Sequence, residues 1–352
     1  ALQECQQAGI RLIMITGDHP VTAHAVAEGL GLPHEDINIG LGEDLNASDE
    51  VVTRVAQRVN IFARTQPEQK YRLVEALQGL GHVVAMTGDG INDAPALRKA
   101  DIGIAMGEHG TEVAREAANL VLLDDNFATI VGAIKNGRRI FDNLRRAFSY
   151  LIAFHVPLLL AALIIPVIGL PLLLLPIHLI WFELVVHPTA ALTFEGDPAS
   201  PDTMRRPPRP PRTGILLAGD FARVFVEGTS LFLGVFALYV IPLSQGASVP
   251  QARALAITTL LLGQMLIVLG ERSSGQARWR TGLRGNRSLP AVLAATLASL
   301  LLALYVPPVT RLVDMYPLSL GEWGIAGAVA LVSVLWLEPL KGRLTNWLAP
   351  SS

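Results

Sequence analysis

Within Met86-Thr87-Gly88-Asp89-Gly90-Ile91-Asn92-Asp93-Ala94-Pro95-Ala96-Leu97, two carboxylates stand four residues apart beside glycines that allow a tight backbone turn. Asp89 and Asp93 would project from the carboxyl end of a strand, where open α/β sheets put their ligands. Hard carboxylate oxygens in that place suit Mg²⁺ and a phosphoryl group. A second turn of the same composition, Thr16-Gly17-Asp18, follows the apolar run Ile10 to Ile15. One such triplet is most often an ordinary turn, because Gly and Asp are favoured in turns for local reasons. Two of them, each between a strand and a helix, could face one another across one sheet edge. Lys70 is the third residue of interest. It lies in the first turn of a helix opened by Pro67, where the dipole disfavours a cation, so it is either solvated surface or aimed at an anion.

The surrounding pattern supplies the elements that would hold these groups. Val83-Val84-Ala85 reads as a buried strand before the first motif, and the segment after it as a helix. Val21 to Leu30 is an Ala-rich helix stopped by Gly29 and Gly31, Pro33 to Asp49 a loop, and Asn46 to Val59 a helix. Ile61-Phe62-Ala63 is a short strand, and Glu68 to Leu80 a helix with Tyr71, Val74 and Leu77 on its apolar face. Ile102 to Met106 and Leu120 to Leu123 read as further strands around a helix over Thr111 to Ala118. Phe127 to Gly137 starts a helix that continues into the apolar half. Four or five parallel strands with helices between them make a doubly wound α/β sheet.

The chain of 352 residues divides sharply near Gly137, with mixed charge before it and long apolar runs after it. A formal net charge of −2 gives no footprint for a nucleic-acid partner. The single cysteine, Cys5, excludes an intrachain disulfide and reads as an incidental helix residue. Ala1 falls in what reads as the tail of a helix, with neither initiator methionine nor signal peptide, so the expectation is a truncated piece of a longer protein.

A spanning helix needs about 20 mostly apolar residues, and six runs qualify: about 146–167, 172–194, 219–243, 252–271, 289–308 and 321–340. Arginine placement sets their orientation. Arg138, Arg139, Arg145 and Arg146 precede the first run; Arg205, Arg206, Arg209 and Arg212 separate the second from the third. Arg272, Arg278, Arg280, Arg284 and Arg287 separate the fourth from the fifth, and Lys341 and Arg343 follow the sixth. Both ends of this half are therefore expected in the cytoplasm. Polar groups inside spans are costly and are functional candidates by default. Glu183 and His187 share a helical face ahead of Pro188, His155 stands two residues before Pro157, and Gln264 adds an amide. A broken helix beside a carboxylate is how transporters build midplane ion sites; the competing reading is helix-packing polar residues satisfied by their neighbours.

Thr16-Gly17-Asp18-x-x-x-Thr22-Ala23, Ala63-Arg64-x-x-Pro67-x-x-Lys70 and Thr87-Gly88-Asp89-Gly90-x-Asn92-Asp93-Ala94-Pro95-Ala96-Leu97 stand in the order and spacing of P-type cation-transporting ATPases. Asp101 to Gly107, Gly110-Thr111-Glu112-Val113-Ala114 and Ala117 to Leu122 continue the match. The resemblance covers nearly the whole chain, as the C-terminal part of the phosphorylation domain and the last six spans of a ten-span pump, calcium-pump-like in subclass. It implies a partial haloacid-dehalogenase-like doubly wound sheet over residues 1–137 and a six-helix transmembrane bundle over 138–345. By motif, Asp89 is implied as the Mg²⁺ ligand, with Asn92 and Asp93 holding the metal site and its loop. Thr16, Gly17 and Asp18 are implied as the phosphate-binding turn, with Lys70 neutralising the phosphoryl oxygens. ATP is the implied co-substrate, with its pocket mostly outside this chain.

Two departures qualify the resemblance. The family's Asp-Lys-Thr-Gly-Thr nucleophile motif does not occur in the 352 residues, and the nucleotide-binding and actuator domains are not represented. Residues 1–352 alone are therefore expected to form no phosphoenzyme with labelled ATP, and an acid-precipitable phosphoprotein would contradict this. A non-catalytic remnant of a pump is the alternative from a different class, and a soluble phosphatase on an unrelated anchor would also need a nucleophile. In the membrane half, Leu175 to Val185 resembles the sixth span and Met204 to Arg209 the loop after it. Calcium pumps carry an acidic residue where His187 stands, and an asparagine and a glutamate where His155 and Leu158 stand. Imidazole with carboxylate suits a transition metal or a proton-coupled step better than Ca²⁺. The implied partners are the lipid bilayer, a transported cation and an N-terminal part of the same pump, in a multi-pass protein of the plasma membrane.

Overall fold

Short apolar strands alternating with amphipathic helices give parallel pairing, because each strand is returned to the same end of the sheet by a helix. A computed structural model describes residues 1–32, 39–211, 213–272, 286 and 288–337. It divides into one unit of Ala1–Arg138 with Ala199–Thr213 and a second of Arg139–Pro198 with Gly214–Ser352.

In the first unit the order is α1 Leu2–Gln7, β1 Met14–Ile15, α2 Pro20–Leu30, β2 Ile39–Leu41, a 3₁₀ turn Gly42–Asn46, α3 Asp49–Arg58, β3 Ile61–Ala63 and α4 Pro67–Gly79. β4 Ala85–Gly88, a 3₁₀ turn Ile91–Asp93, α5 Ala94–Lys99, β5 Ile102–Met106, α6 Glu112–Ala117 and β6 Leu120–Leu122 follow. All pairings are parallel. One sheet of four or five strands is the sequence expectation; among the described residues the strands form two three-stranded sheets, β1-β3-β2 and β4-β5-β6. β1 and β4 are each an edge. β1 is two residues long instead of the expected six, and Arg11, inside the expected strand, spends its guanidinium on the carbonyls of Ala56 and Val59 and on Asn60 Oδ1. β2 falls in the stretch read as a loop, where the alternation is too short to show; residues 33–38 of that stretch lie outside the described ones.

The two sheets share a core. Leu45, Val52, Phe62, Leu73 and Leu77 form one cluster and Val74, Met86, Leu97, Ala105 and Ala114 another, while Ile15 and Val84 pack against both. Ile15 and Met86 immediately precede the two Thr-Gly-Asp turns, so the strands that carry the turns pack on common residues.

α7, Phe127–Val167, begins in the first unit and supplies residues 139–167 to the second. There follow α8 Pro176–Trp181, a π-helical segment Phe182–Val186, α9 His187–Glu195, α10 Ala218–Ser244, α11 Val249–Arg272, α12 Ser288–Tyr305, α13 Pro307–Leu312 and α14 Leu320–Leu335. Among the described residues, five helices are long and apolar enough to cross a membrane: Phe127–Val167, Pro176–Glu195, Ala218–Ser244, Val249–Arg272 and Ser288–Tyr305. Of the sixth expected run, 321–340, the described residues form the apolar helix Leu320–Leu335, and 338–340 lie outside them. The second starts at Pro176 instead of 172, because residues 170–175 remain extended or turning after the left-handed Gly169. Arg212, Arg278, Arg280, Arg284, Arg287, Lys341 and Arg343 also lie outside the described residues.

α11 is buried nearly all round and is the axis of this unit, as expected of a helix apolar on every face. Its neighbour α10 meets α7 where Pro157 interrupts the ladder. A Cβ on Gly228 would stand 2.6 Å from Val156 Cβ and 3.1 Å from the Ala153 carbonyl oxygen. Gly228→Ala is therefore expected to cost about 1–3 kcal/mol by overpacking, measured as a lowered unfolding midpoint in detergent.

Candidate functional site

The first turn is held by the strand beside it. The Thr16 carbonyl accepts from the Thr65 N–H at 3.0 Å and the Thr65 hydroxyl at 2.9 Å, and the Arg64 N–H donates to the Asp18 carbonyl at 3.0 Å. Arg64 takes a left-handed conformation, φ +51°, to do so. The Asp18 N–H donates to Thr16 Oγ1 at 3.1 Å, and that hydroxyl donates to Asp18 Oδ2 at 3.0 Å. The Gly17 N–H has no acceptor among the described residues, so the turn offers a donor outward.

The same Arg64-Thr65 link leads through Pro67 into α4 and its first-turn lysine. Lys70 is neither solvated surface nor unpaired: Nζ donates to Asp93 Oδ1 at 2.7 Å, with the side chains only 17% and 9% exposed. The Gly90 N–H closes the other side of that carboxylate, donating to Oδ2 at 3.3 Å. Gly88 has to be a glycine, since a Cβ there would lie 2.5 Å from Asp93 Cβ. Asp93 is thus inward and engaged. Asp89 and Asn92 are exposed, and the Asp89 carboxylate accepts no hydrogen bond among the described residues. Its carbonyl accepts from the Thr111 N–H at 2.8 Å, which fixes the loop against the start of α6.

Asp125 is a residue the sequence reading passed over. In a left-handed conformation, φ +46°, it accepts from the N–H groups of Gly107 (2.6 Å), Glu108 (3.2 Å) and His109 (2.9 Å) and faces His109 Nδ1 at 2.7 Å. Desolvation opposes its ionisation, but the His109 N–H and ring and then the Glu108 and Gly107 N–H groups outweigh it, holding the carboxyl down at about 2. The hydrogen bond to Asp125, and then its charge, raise His109 above the ordinary imidazole value. The depressed acid stabilises above its unfolded value near 3.9 and loses this as pH falls toward about 2; the raised base stabilises below about 6.5 and loses this as pH rises through its folded value. The gap in unfolding midpoint between the parent and Asp125→Ala is therefore expected to be widest from about pH 4 to 6.5 and to narrow on either side, as thermal unfolding across pH 2–8 would read.

In the second unit three of the four polar span residues meet. His155 Nε2 lies 3.0 Å from Glu183 Oε1, and His187 Nδ1 lies 3.6 Å from Glu183 Oε2. Gln264 is not in that cluster. It is buried in α11 and donates to the Phe154 carbonyl at 3.4 Å, its own oxygen having no partner among the described residues. Glu227, an ionisable residue inside a span and fully buried in α10, was overlooked; its Oε2 lies 3.6 Å from Arg223.

Comparison with known proteins fits this pairing of units. The family described as "Cation transporting ATPase, C-terminus" matches residues 171–342, and "haloacid dehalogenase-like hydrolase" matches residues 1–101. The "Calcium-transporting ATPase" of Bacillus subtilis strain 168 is 39% identical over 325 residues, covering 92% of this chain. The chain belongs to the cation-transporting ATPases. The "Probable cation-transporting ATPase F" of Mycobacterium tuberculosis strain H37Rv is 36% identical over 98% of the chain, and the "Calcium-transporting ATPase 1" of Lactococcus lactis 34% identical over 97%. The chain spans 36% of the length of the first of these relatives and 39% of each of the other two. As a cation-transporting ATPase chain it combines a haloacid-dehalogenase-like α/β unit with apolar helices of an integral membrane protein.

Proposed function

We propose that this chain supplies the metal- and phosphate-holding half of the phosphorylation site, and the last membrane helices, of an ATP-driven cation pump that works through an aspartyl phosphate. The observation that carries this is the pair of Thr-Gly-Asp turns, each after a strand that is an edge of its sheet among the described residues, the two strands sharing packing residues and Lys70 of α4 bonded to Asp93 in the loop after the second. A parallel strand inserted between β1 and β4 would complete one sheet. An aspartate at its carboxyl end would then stand between the two turns.

The residues present fit Mg²⁺: Asp89 is an exposed, unshared carboxylate on a fixed loop, a hard oxygen donor suited to an ion that keeps several waters. Bound there, the ion supplies charge neutralisation at the transferred phosphoryl group. The chain's own residues do the rest. The Gly17 N–H and the Thr16 hydroxyl bind phosphoryl oxygens; the ammonium of Lys70, held ready by Asp93, turns to the charge that develops there. Asn92 and Asp93 keep the loop in shape. In the membrane, His155, Glu183 and His187 line the ion path, with Gln264 beside it. The soluble unit and both ends of the membrane half face the cytoplasm, following the arginines.

The test is ATPase activity coupled to transport by the longer protein containing this chain, reconstituted and assayed across a panel of cations. Stimulation by a cation together with an acid-stable phosphoenzyme is the expected result. Absence of a phosphoenzyme under every cation would overturn the reading.

A further inference from the structure

The side chains that meet in the membrane unit have the wrong chemistry for calcium. We propose that His155, Glu183 and His187 bind a borderline divalent transition-metal ion, of the Zn²⁺ or Co²⁺ class, as the transported cargo; this rests on the pump reading above. Glu183 presents one oxygen to each imidazole, at 3.0 Å to His155 Nε2 and 3.6 Å to His187 Nδ1, and the two rings stand edge-on with centroids 5.5 Å apart. Each ring is oriented from behind. His155 Nδ1 lies 2.7 Å from the Leu151 carbonyl oxygen, which can only accept, so Nδ1 carries the hydrogen and Nε2 is the nitrogen turned to the carboxylate. A backbone carbonyl fixing one imidazole nitrogen while the other faces the ion is the usual arrangement of metal-binding histidines. His187 is stacked against Phe154 at 5.3 Å and Tyr150 at 6.4 Å between centroids.

The backbone is also shaped here. The second span is π-helical over Phe182–Val186, a segment that contains Glu183 and runs directly into the helix that starts at His187. Single π turns inside α-helices are costly and gather at functional sites. Pro157 and Pro188 each withhold a helical N–H beside the cluster.

Ligand chemistry decides the cargo. Ca²⁺ takes about six to eight oxygens at about 2.3–2.6 Å, and these three side chains offer one carboxylate. Two imidazoles and a carboxylate form a donor set that Zn²⁺ uses when one position stays open, and imidazole suits Co²⁺, Ni²⁺ and Cu²⁺ in the same way. An open set with exchangeable positions suits an ion that must leave again. Among the described residues, the acidic and histidine group whose ligand atoms all lie within 4.8 Å of one another is Glu108, His109 and Asp125 in the soluble unit; in the membrane unit it is Glu183 that links the two imidazoles, one to each of its oxygens. Asp125 is already saturated by three N–H donors and the His109 ring, so that group carries no proposal, but it is a background to remove.

The experiment titrates Co²⁺ into the 352-residue chain carrying His109→Gln, in lipid nanodiscs, and follows the visible absorption of the bound ion. Saturable binding that Zn²⁺ displaces and excess Ca²⁺ does not is expected. His155→Gln and Glu183→Gln should each weaken it by about tenfold or more, and His155→Asn serves as a smaller second variant, all checked for monodisperse elution. Displacement of Co²⁺ by Ca²⁺, or unchanged affinity in these variants, would overturn the assignment. The two readings fail separately: a longer protein that forms a phosphoenzyme and pumps Ca²⁺ sinks the cargo and leaves the pump. Selective Co²⁺ binding without any phosphoenzyme does the reverse.

Discussion

Lys70→Ala in the longer protein containing this chain is expected to lower phosphoenzyme formation about a thousandfold, or about 4 kcal/mol of transition-state stabilisation. The figure follows from where the ammonium stands. Its dipole environment in the first turn of α4 is unfavourable, yet it is held there, mostly buried, by Asp93 at 2.7 Å. A compact cation so placed has one charge to share between a resident carboxylate and an incoming phosphoryl group. A rival explanation gives the lysine only the first task, that of neutralising Asp93, which is 6% exposed and would be costly to leave alone. Asp93→Asn separates the two. If Lys70 merely neutralises, the double variant Lys70→Ala with Asp93→Asn recovers most of the activity, since the charge that needed a partner has gone. If Lys70 serves the phosphoryl group, the double variant is as inactive as Lys70→Ala itself. Lys70→Arg is expected to rescue neither, because a planar fork does not fit the place of an ammonium held at one oxygen.

The parts of this arrangement that could be read from sequence are those in which the local signal and the chemistry coincide. The Thr-Gly-Asp turns, the Pro67 start of α4 and the glycines around Asp93 are local, and residue type reports them directly. The division of the strands into two sheets was not legible, because pairing is a long-range property and β1 and β4 each carry only enough apolar residues to pack, not to name a neighbour. Asp125 escaped because its work is done through backbone N–H groups sixteen to eighteen residues away, and an aspartate after a strand looks like an ordinary turn. In the membrane half, the i, i+4 spacing of Glu183 and His187 was legible, and so was the proximity of His155 to a proline. That His155, from another helix, would reach the same carboxylate was not, nor was the π-helical segment that reshapes the turn between them. Glu227 is a different case, since a carboxylate in the middle of an apolar run is visible in the sequence and is costly to bury.

Arg253→Met should be among the most destabilising single changes in the membrane unit, by about 3 kcal/mol or more. Arg253 stands apart from the arginine clusters of the other loops, and its side chain is only 4% exposed. Its guanidinium explains why it is kept. Nε donates to the Leu173 carbonyl at 3.1 Å, one terminal nitrogen to the Leu172 carbonyl at 2.6 Å, and the other to the Asp314 carbonyl at 2.9 Å and to its carboxylate. It thereby satisfies the extended backbone before α8 and the left-handed residue after α13, φ +47°, in a region where unsatisfied carbonyls are costly. Methionine has similar length and no donors, so each buried carbonyl would lose a partner worth roughly 1–3 kcal/mol. The ion pair itself contributes little of this. Asp314 is 52% exposed and can be rehydrated, so Asp314→Asn is expected to cost under about 1 kcal/mol. Unfolding of the reconstituted chain in mixed micelles would rank the two. Equal losses would mean that the charge pair, and not the carbonyls, is what Arg253 is there to hold.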